Sequence, residues 1–488
     1  MKFNNILIPL LLTACVLFGG IFTACSDNTD SPAAETAEKE SETVEVTETT
    51  TEISHNLPNL DFGGEDVNFL VVDHSMDFYT SKEIYASEQN GELFNDAVYA
   101  RNLIVEELLN VKIKQTASTS ASSAANKSLT AGDTEYDVVM PYMNDTITLA
   151  QSGLLLDLNT MNHIDLDQPW WDHRANENLM INNKIFITTG DISILDNECT
   201  MVMFFNKEMI ADYSLENPYE LVTANKWTID KMFEIGAAVA EDINGDGIMN
   251  NEDKWGLSVA GNAPHSMYFG SGERLSTTIN GELQLVMDNP KGVNVLEKIF
   301  THIENPNILT NRTGSTDYNL VNTMFNESRV MMVTFALVDI NGLRDAEFEF
   351  GILPYPLYDE SQDSYNNFIS TGLVSSTSVP YNCMNPDKVS AVLEAMGFYS
   401  VDTLTVAYYD KALKLRYARD DESGDMLDII FNTRVYDMAY ISNWGGIGTL
   451  IESMYSSKNN NFASEYAKIE EKAITKMQET IALFDAIK

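Results

Sequence analysis

Apolar and polar positions follow two different periods along this chain. Residues 66–72 form a short apolar run that is typical of a buried strand, and residues 111–114 and 135–140 show a similar pattern. Between the first two runs, residues 93–110 carry apolar side chains at helical spacing. Strands that alternate with helices in this way predict βαβ units and a mainly parallel sheet.

Further helical patterns follow along the rest of the chain. They cover residues 228–240, 289–304, 385–399, 411–419, 427–436 and 462–487. Ligands of mainly parallel sheets bind outside the carboxyl ends of the strands. The pattern therefore predicts a cleft near Asp73 and His74, and near Tyr142 and Asp145, because each pair follows a predicted strand.

The N-terminal region differs in composition from the rest of the chain. Lys2 precedes an apolar run at residues 6–22, and small residues follow, which predicts a signal peptide at residues 1–24. Residues 22–25 (FTAC) resemble a bacterial lipobox, and this resemblance implies acylation of Cys25, with palmitate as the expected group. A plain membrane-spanning anchor is the alternative, but the run is slightly shorter than the roughly 20 apolar residues that a span needs.

Residues 25–60 are rich in Ser, Thr, Glu and Ala and almost lack large apolar side chains. Such a segment buries too little surface to offset the entropy lost on ordering, so we predict a disordered acidic tether. A lipid anchor followed by a tether predicts a protein held at the extracellular face of the cell membrane. The roughly 430 residues beyond the tether exceed what one core usually holds, so two lobes are expected.

The formal net charge of −43 argues against a nucleic-acid-binding protein, which needs clustered Lys and Arg. The acidity fits a soluble extracellular surface, and we expect a monomer. Outside the signal region the cysteines are Cys199 and Cys383, so the fold does not depend on a disulfide framework. Whether these two pair stays open.

Residues 242–253 have the spacing of a calcium-binding loop. Oxygen-bearing side chains stand at loop positions 1, 3, 5, 9 and 12, and glycine stands at position 6, as a seven-coordinate Ca²⁺ requires. The predicted metal ligands are Asp242, Asn244, Asp246, Ile248, Asn250 and Asp253. The alternative is an Asx-rich turn, which acidic sequences also produce. A single loop predicts a structural calcium ion that fixes a helix-to-strand connection, rather than a calcium sensor.

Several short motifs occur in an order that resembles a known family. Residues 132–139 (GDTEYDVV) and 154–158 (LLLDL) resemble a G-x-x-x-Y-D-V-V strand and the L-x-D-L that follows it. The later motifs are at residues 182–186 (NNKIF), 190–192 (GDI), 204–208 (FFNKE), 227–230 (WTID), 325–332 (FNESRVMM) and 350–356 (FGILPYP). Ser328 stands where the family usually has glycine.

On these motifs the chain is identified as a member of the bacterial extracellular solute-binding proteins (family 1), which serve carbohydrate-type ABC importers. The resemblance implies an α/β, periplasmic-binding-protein-like fold (type II-like) with two lobes hinged around a cleft. It places residues 61–190 and 330–385 in the N-terminal lobe, and 191–329 and 386–488 in the C-terminal lobe. The implied function is to capture a carbohydrate, with an oligosaccharide expected, and to deliver it to the permease subunits of an ABC transporter.

Sugar sites combine stacked aromatic rings with carboxylates and amides. The predicted solute-binding residues are Trp444, Trp171, Trp170, Tyr142, Asp145 and Asp172. Trp444 lies beside two glycines that favour a turn, at a late position where the family often has a cleft aromatic. The tandem Trp170 and Trp171 have a structural alternative, in which they cap a core.

Two other functions stay open on sequence grounds. Carboxylates and aromatics would also serve a surface glycoside hydrolase. However, the sequence lacks the G-x-S-x-G, P-loop, dinucleotide and zinc motifs, and a hydrolase would leave the order of the family motifs unexplained. We therefore predict a binding protein and not an enzyme. A binding protein that feeds a sensor kinase is the second alternative.

Overall fold

The computed structural model describes residues 54–73, 81–310, 318–343, 346–409 and 421–487. The predicted signal peptide, Cys25 and most of the predicted tether lie outside these ranges, as do His74 and the predicted helix at 411–419. Within the described ranges, no helix combines the length and the apolar composition that a membrane span requires.

Strands and helices alternate through the first half of the described chain. The strands are β1 Glu65–Val72, β2 Val111–Ser118, β3 Val138–Met140, β4 Met201–Asn206, β5 Trp255–Val259, β6 Ser276–Ile279, β7 Glu282–Leu285, β8 Leu309–Thr310, β9 Val330–Ala336, β10 Phe350–Leu353, β11 Asn367–Phe368 and β12 Arg434–Val435. The predicted strands at 66–72 and 111–114 are confirmed, and the strand predicted at 135–140 is confined to β3.

Helices surround the strands. They are α1 Leu93–Leu109, α2 Ala121–Ala131, α3 Met143–Gln151, α4 His173–Leu179, α5 Leu195–Glu198, α6 Lys207–Asp212, α7 Pro218–Thr223, α8 Ile229–Ala237, α9 Ala263–Gly270, α10 Pro290–Ile303, α11 Tyr318–Asn326, α12 Pro386–Ser400, α13 Asp421–Asn432, α14 Met438–Ser442, α15 Leu450–Ser457, α16 Phe462–Ala467 and α17 Glu470–Ala486. Short 3-10 turns at Leu158–Thr160, Leu337–Leu343 and Trp444–Thr449, and a π-helical turn at Val401–Thr405, complete the set.

The first sheet consists of three parallel strands in the order β2-β1-β3. Val67, Phe69 and Val71 on one face of β1 share a core with α1 and α12, while Leu70 on the other face shares a core with α2. These four side chains are fully buried. A continuous apolar strand of this kind requires helices on both faces, because parallel sheets are buried on both sides.

The second sheet has five strands in the order β10-β4-β9-β5-β8. β5 runs parallel to both β9 and β8, whereas β4 runs antiparallel to both β9 and β10. Every residue of β4 is buried, which explains why all of them except Asn206 are apolar. The sheet is therefore mixed, with its parallel part at the β9-β5-β8 side.

Two stretches pack elsewhere than the predicted lobe boundaries imply. β9 and β10, predicted to belong to residues 330–385 of the N-terminal lobe, pair with β4 in the second sheet. α12, predicted to belong to the C-terminal lobe, shares the core of the first sheet through Val389, Val392 and Met396. The reason is long-range pairing and packing, which local sequence patterns do not specify.

Two predicted helices end differently in the structure. The helix predicted at 427–436 ends at Asn432, because the next residues pair as β12 with β11 and the amide of Asn367 donates to the carbonyl of Thr433 (2.8 Å). The helix predicted at 462–487 divides into α16 and α17 at Lys468 and Ile469. Both differences occur where another chain segment offers hydrogen bonds or packing.

The folded part begins earlier than the predicted end of the tether at residue 60. Leu57 and Leu60 pack against the core of the first sheet. The ring of His55 meets the edge of Phe398 at a centroid distance of 5.4 Å. Side chains at three points in residues 55–60 therefore contact the folded part of the chain.

Candidate functional site

The corner between β3 and α3 brings two of the predicted site residues to one place. Tyr142 caps α3 with extended backbone angles, and the amide of Met143 donates to the carbonyl of Val374 (2.7 Å). Tyr142 is half-buried and Asp145 is exposed in the first turn of α3. This is the carboxyl end of a parallel strand, as the sequence predicts.

A second chain segment reaches the same corner. Burial, together with the nearby Cys199 and Asp145, raises the pKa of Tyr142 to about 12. The hydroxyl of Thr371 donates to Asn144 Oδ1 (2.7 Å), and the amide of Ser370 donates to the carbonyl of Cys199 (3.1 Å). The corner is therefore bounded by the connection that leads into β4 and by the one that follows β11.

Trp444 lines a groove at the other end of α3. The groove has a volume of about 570 Å³, and its lining includes Gln151, Asn443, Trp444, Lys472, Lys476 and Thr480. Thr480 accepts from Trp444 Nε1 (2.9 Å) and from Gln151 Nε2 (3.1 Å). Because Trp444 is only 3% exposed, it contributes an edge to the groove rather than an open ring face.

The two glycines after Trp444 allow α17 to approach the turn. Gly445 has φ +64, and a Cβ there would lie 2.6 Å from the amide nitrogen of Ala473 in α17. Gly446 has φ +104. Both angles fall in the left-handed region that glycine adopts without steric cost. The predicted turn at Trp444 is thus present, and α3 extends from it to the Tyr142 corner.

The tandem tryptophans lie in the core of the first sheet. Trp170 is 1% exposed and meets Phe398 edge-on at 5.2 Å, while Trp171 is 2% exposed and donates from Nε1 to Glu394 Oε2 (3.0 Å). A Cβ at Gly397 would lie 2.5 Å from Trp170, so this glycine makes room for the indole. In this arrangement neither ring has an open face for stacking, which favours the core-capping alternative.

Asp172 forms part of a buried ionic network. Its Oδ1 accepts from the amides of Arg174 (2.9 Å) and Ala175 (3.0 Å) and so caps α4. Its Oδ2 accepts from Tyr436 (3.0 Å) and pairs with Arg434 Nη2 (2.8 Å). Asp172 therefore caps α4 and supplies a counter-charge to Arg434.

Arg434 is the centre of this network. It also pairs with Asp196 (3.4 Å) and donates to Asn197 Oδ1 (2.7 Å). Burial alone would lower the pKa of Arg434, but Asp172, Tyr436 and Asp196 together raise it. The guanidinium is therefore held in its charged form and joins β12 to α4 and α5.

Four carboxyl groups lie in or close to this network, three of them buried and that of Asp191 half-buried, and the sequence analysis did not single them out. We call them the acidic cluster; its members are Glu83, Asp191, Asp196 and Glu198. Burial is the largest cause of a raised pKa at each one, to about 7 for Glu83 and Asp191, about 6 for Asp196 and about 8 for Glu198. The available signal in the sequence was the presence of Asp196 and Glu198 within an otherwise apolar stretch.

The acidic cluster adjoins the Tyr142 corner. Glu198 is the last residue of α5, and Cys199, which contributes to the raised pKa of Tyr142, comes directly after it. Burial, followed by the charges of Glu198, Asp196, Asp339 and Glu83, raises the pKa of the Cys199 thiol. Cys199 and Cys383 are both free thiols, so they do not form a disulfide.

Comparison with protein families shows which family this chain belongs to. Residues 106–393, more than half of the chain, match the family described as bacterial extracellular solute-binding protein. The chain belongs to this family. It is a binding protein and not an enzyme, because the family consists of binding proteins. None of the curated protein sequences compared with it matches.

Solved structures share the fold of this solute-binding protein. The GacH receptor of Streptomyces glaucescens, studied unliganded and with acarbose, has a TM-score of 0.51 and 14% identity, covering 87% of this chain and all (100%) of its own. An ABC substrate-binding protein from Listeria monocytogenes, solved with cycloalternan, has a TM-score of 0.53 and 12% identity over 85% of this chain and 99% of its own. At such identities the likeness shows the fold alone.

A third solved structure agrees with the first two. A cyclo/maltodextrin-binding protein complexed with maltotetraose has a TM-score of 0.55 and 13% identity, covering 85% of this chain and 97% of its own. The solute-binding protein therefore has the mixed α/β, periplasmic-binding-protein-like architecture that the motifs predict, with sheets flanked by helices.

The predicted calcium loop joins α8 to β5, as expected. Gly247 at loop position 6 has φ +77, and its amide donates to Asp242 Oδ2 (2.8 Å). Asp253 is fully buried and accepts from the amides of Ile243 (3.2 Å) and Asn250 (2.7 Å). Asn244 and Asp246 likewise accept from amides two residues further along. The loop is thus folded around its own oxygen side chains.

This geometry fits a calcium loop in its backbone and donor types, and it also fits the Asx-turn alternative. Within the described ranges, no three His, Cys, Asp or Glu side chains are grouped so as to hold a metal ion. The loop carboxylates accept hydrogen bonds from backbone amides. The side chain of Ile248 is 65% exposed. Calcium binding at this loop therefore stays a prediction.

Replacing Arg434 with alanine is expected to lower the free energy of unfolding by about 3–5 kcal/mol, because it leaves Asp172 and Asp196 buried without their counter-charge. Chemical denaturation measures the change. The control is Lys468→Ala, which removes a surface pair between the 61%-exposed Lys468 and Glu465 and should cost less than about 1 kcal/mol. Equal losses for the two variants would contradict the role assigned to Arg434.

The acidic cluster predicts an unusual dependence of stability on pH. Its folded-state pKa values, about 6 to 8, exceed the ordinary values near 4. The folded state then binds more protons than the unfolded state, so the contribution to stability is complete below about pH 4 and is lost as the pH rises through about 6 to 8. Thermal unfolding should occur a few degrees higher at pH 5 than at pH 8.

A matched pair of variants separates this effect from general charge repulsion. Glu198→Gln should flatten the pH dependence of the melting temperature, because it removes a buried titrating group. Glu208→Gln removes an exposed carboxylate of the same charge and should leave the slope as it is. A slope that both variants change equally would show that the net charge, and not the cluster, is responsible.

Proposed function

We propose that this solute-binding protein captures an oligosaccharide and delivers it to the permease subunits of an ABC transporter. The observation that carries the proposal is α3, which has Tyr142 and Asp145 at its first turn and the Trp444 groove at its last. Sugar sites combine aromatic rings with carboxylates and amides, and here Tyr142 supplies a half-buried ring beside the exposed Asp145. The solved structures of similar fold were studied with acarbose, cycloalternan and maltotetraose, which supports this solute class.

The length of α3 supports an extended solute over a single sugar. Its nine residues span about 13 Å at the rise of an α-helix. A solute that contacts both Tyr142 and Gln151 would have to extend along this helix. Closure around such a solute shifts an equilibrium between open and closed forms, and the closed form is the one a transporter would recognise.

We also propose that acylated Cys25 and the acidic tether hold the protein at the extracellular face of the membrane. The support is the lipobox-like sequence at residues 22–25 and the polar composition of the residues that follow. A monomer suits this arrangement. A role in presenting solute to a sensor kinase uses the same binding chemistry, and neighbouring genes distinguish the two: permease genes indicate import and a histidine kinase gene indicates sensing.

The purified protein should bind an oligosaccharide and release it unchanged. Isothermal titration calorimetry against a glycan panel, followed by chromatography of the recovered sugar, measures both properties. Asp145→Asn should weaken binding about tenfold or more, because a hydrogen bond to a charged group is worth about 1.5–3 kcal/mol. Asp212→Asn, an exposed acid at the end of α6, is the control and should bind normally.

Two results would reject the oligosaccharide proposal. One is the steady appearance of shorter sugars, which indicates hydrolysis. The other is the absence of heat with every glycan of the panel while the protein remains folded by circular dichroism.

We further propose that residues 242–253 bind a structural Ca²⁺. Six oxygen donors at the required spacing, a left-handed glycine at position 6 and a buried Asp253 support the proposal. Asp242, Asn244, Asp246, Ile248, Asn250 and Asp253 would hold the ion. Its charge would offset the repulsion between the three aspartates.

Chelation of calcium should lower the melting temperature, because a ligand that binds only the folded state stabilises that state. Re-addition of Ca²⁺ should restore it. Asp246→Ala should abolish this response, and the control Asp212→Ala should keep it. A melting curve that is unchanged after verified removal of the metal would leave the Asx-rich turn as the explanation of the loop.

A further inference from the structure

The buried face of α17 carries one hydroxyl group among apolar side chains. The buried residues of this helix recur at the spacing of a single helix face, and they are Ala473, Met477, Thr480 and Phe484. Phe484 packs against Phe186 with a centroid distance of 4.6 Å. Ala473 adjoins Gly445, where a Cβ would lie 2.6 Å from the amide nitrogen of Ala473. These contacts on both sides of Thr480 hold it in place, and it is 3% exposed.

The hydrogen bonds of Thr480 use its hydroxyl completely. A threonine hydroxyl has one hydrogen to donate and two lone pairs that accept. The hydrogen is donated to the main-chain carbonyl of Lys476, one turn earlier in α17 (3.0 Å). The lone pairs accept from Trp444 Nε1 (2.9 Å) and from Gln151 Nε2 (3.1 Å). The hydroxyl therefore joins α17, the Trp444 turn and the last residue of α3.

This arrangement determines which way the amide of Gln151 faces. The indole N–H of Trp444 can only donate, and the hydrogen of Thr480 bonds to the carbonyl of Lys476, so Gln151 has to turn its Nε2 towards Thr480. Gln151 Oε1 then points away from Thr480, because the two polar atoms of a planar amide diverge. Gln151 itself is half-buried and lines the Trp444 groove of about 570 Å³.

We propose that Thr480 is a positioning residue for solute recognition, which holds Gln151 so that its Oε1 accepts a hydrogen bond from a hydroxyl group of the oligosaccharide. This role rests on the proposed oligosaccharide function, and it adds the C-terminal helix α17 to the residues that determine specificity. An acceptor oxygen selects a solute position that carries a donor. It disfavours a position whose hydroxyl is absent or methylated, because the oxygen would then lose water without gaining a partner.

Holding the amide before the solute arrives has two consequences for affinity. The entropy of ordering a glutamine side chain is not lost again on binding, so a larger part of the interaction appears as affinity. The amide also cannot rotate to turn its NH₂ group into the groove, where it would face the donor of the solute hydroxyl instead of accepting from it.

Calorimetry of the full chain with a panel of neutral oligosaccharides, maltotetraose among them, tests this role. Thr480→Val keeps the shape of the side chain and removes the hydroxyl, so the affinity should fall about tenfold, as expected for the loss of one oriented hydrogen bond. Gln151→Leu should cause a similar loss, and Thr480→Ser, which restores the hydroxyl, should recover most of the affinity. The matched control is Thr475→Val, because Thr475 is exposed on the same helix and likewise donates to a carbonyl one turn earlier (Glu471, 2.8 Å).

A double-mutant cycle separates positioning from a purely structural role. Thr480→Val also removes the acceptor of Trp444 Nε1, so it should lower the melting temperature whether or not Gln151 is present. If Thr480 acts through Gln151, Thr480→Val should change the affinity by less than about twofold in the Gln151→Leu background. Circular dichroism at the temperature of the titration checks that each variant is folded.

The outcomes distinguish this role from the function on which it rests. Equal losses of affinity from Thr480→Val in the presence and absence of Gln151 overturn the positioning role. Wild-type affinity in Gln151→Leu overturns it as well, and the oligosaccharide function then stands because the solute still binds. If no oligosaccharide of the panel binds the unmodified protein, both proposals fail.

Discussion

The ion pairs of Arg434 determine how distant parts of this chain meet. Removing a guanidinium and two carboxylates from water costs several kcal/mol for each ion, so the three groups are tolerable only when they face one another. Asp172 caps α4, Asp196 lies in α5, and Arg434 forms β12 with its neighbour, so the pairing fixes these three elements in one arrangement. α5 leads directly into Cys199 and β4, which places the wall of the Tyr142 corner.

The same arrangement explains why the carboxyl groups of the acidic cluster have pKa values of about 6 to 8. Arg434 forms ion pairs with two carboxylates, and Arg101 donates hydrogen bonds to the main-chain carbonyl of Glu83 and to Ser400. These two arginines therefore do not fully balance the charges of the remaining acids. Burial then disfavours the charged form of each acid and raises its pKa.

Much of the fold follows from local patterns, and the parts that do not share a physical reason. β1, α1 and β2 can be predicted from the sequence, because the period of their apolar side chains indicates which faces are buried. The membership of β9 and β10 in the second sheet depends on pairing across long stretches of chain, which no local period encodes. In the site, strand-end geometry predicted the place of Tyr142 and Asp145. The acidic cluster was not predicted, because acids scattered in a mainly apolar sequence do not form a recognisable motif.

The calcium loop and the candidate solute site belong to different parts of the molecule, and this limits how they can influence each other. Trp255 Nε1 donates to the carbonyl of Asn250 (2.9 Å), and β5 then pairs with β9, so the contacts of the loop lead into the second sheet. The solute contacts proposed along α3 begin at the end of β3 in the first sheet. A ligand shifts an equilibrium only by its difference in affinity for the two states. An ion whose contacts stay the same on closure contributes stability without changing solute affinity, so a Ca²⁺ bound as proposed would act as a clamp on the α8-to-β5 connection.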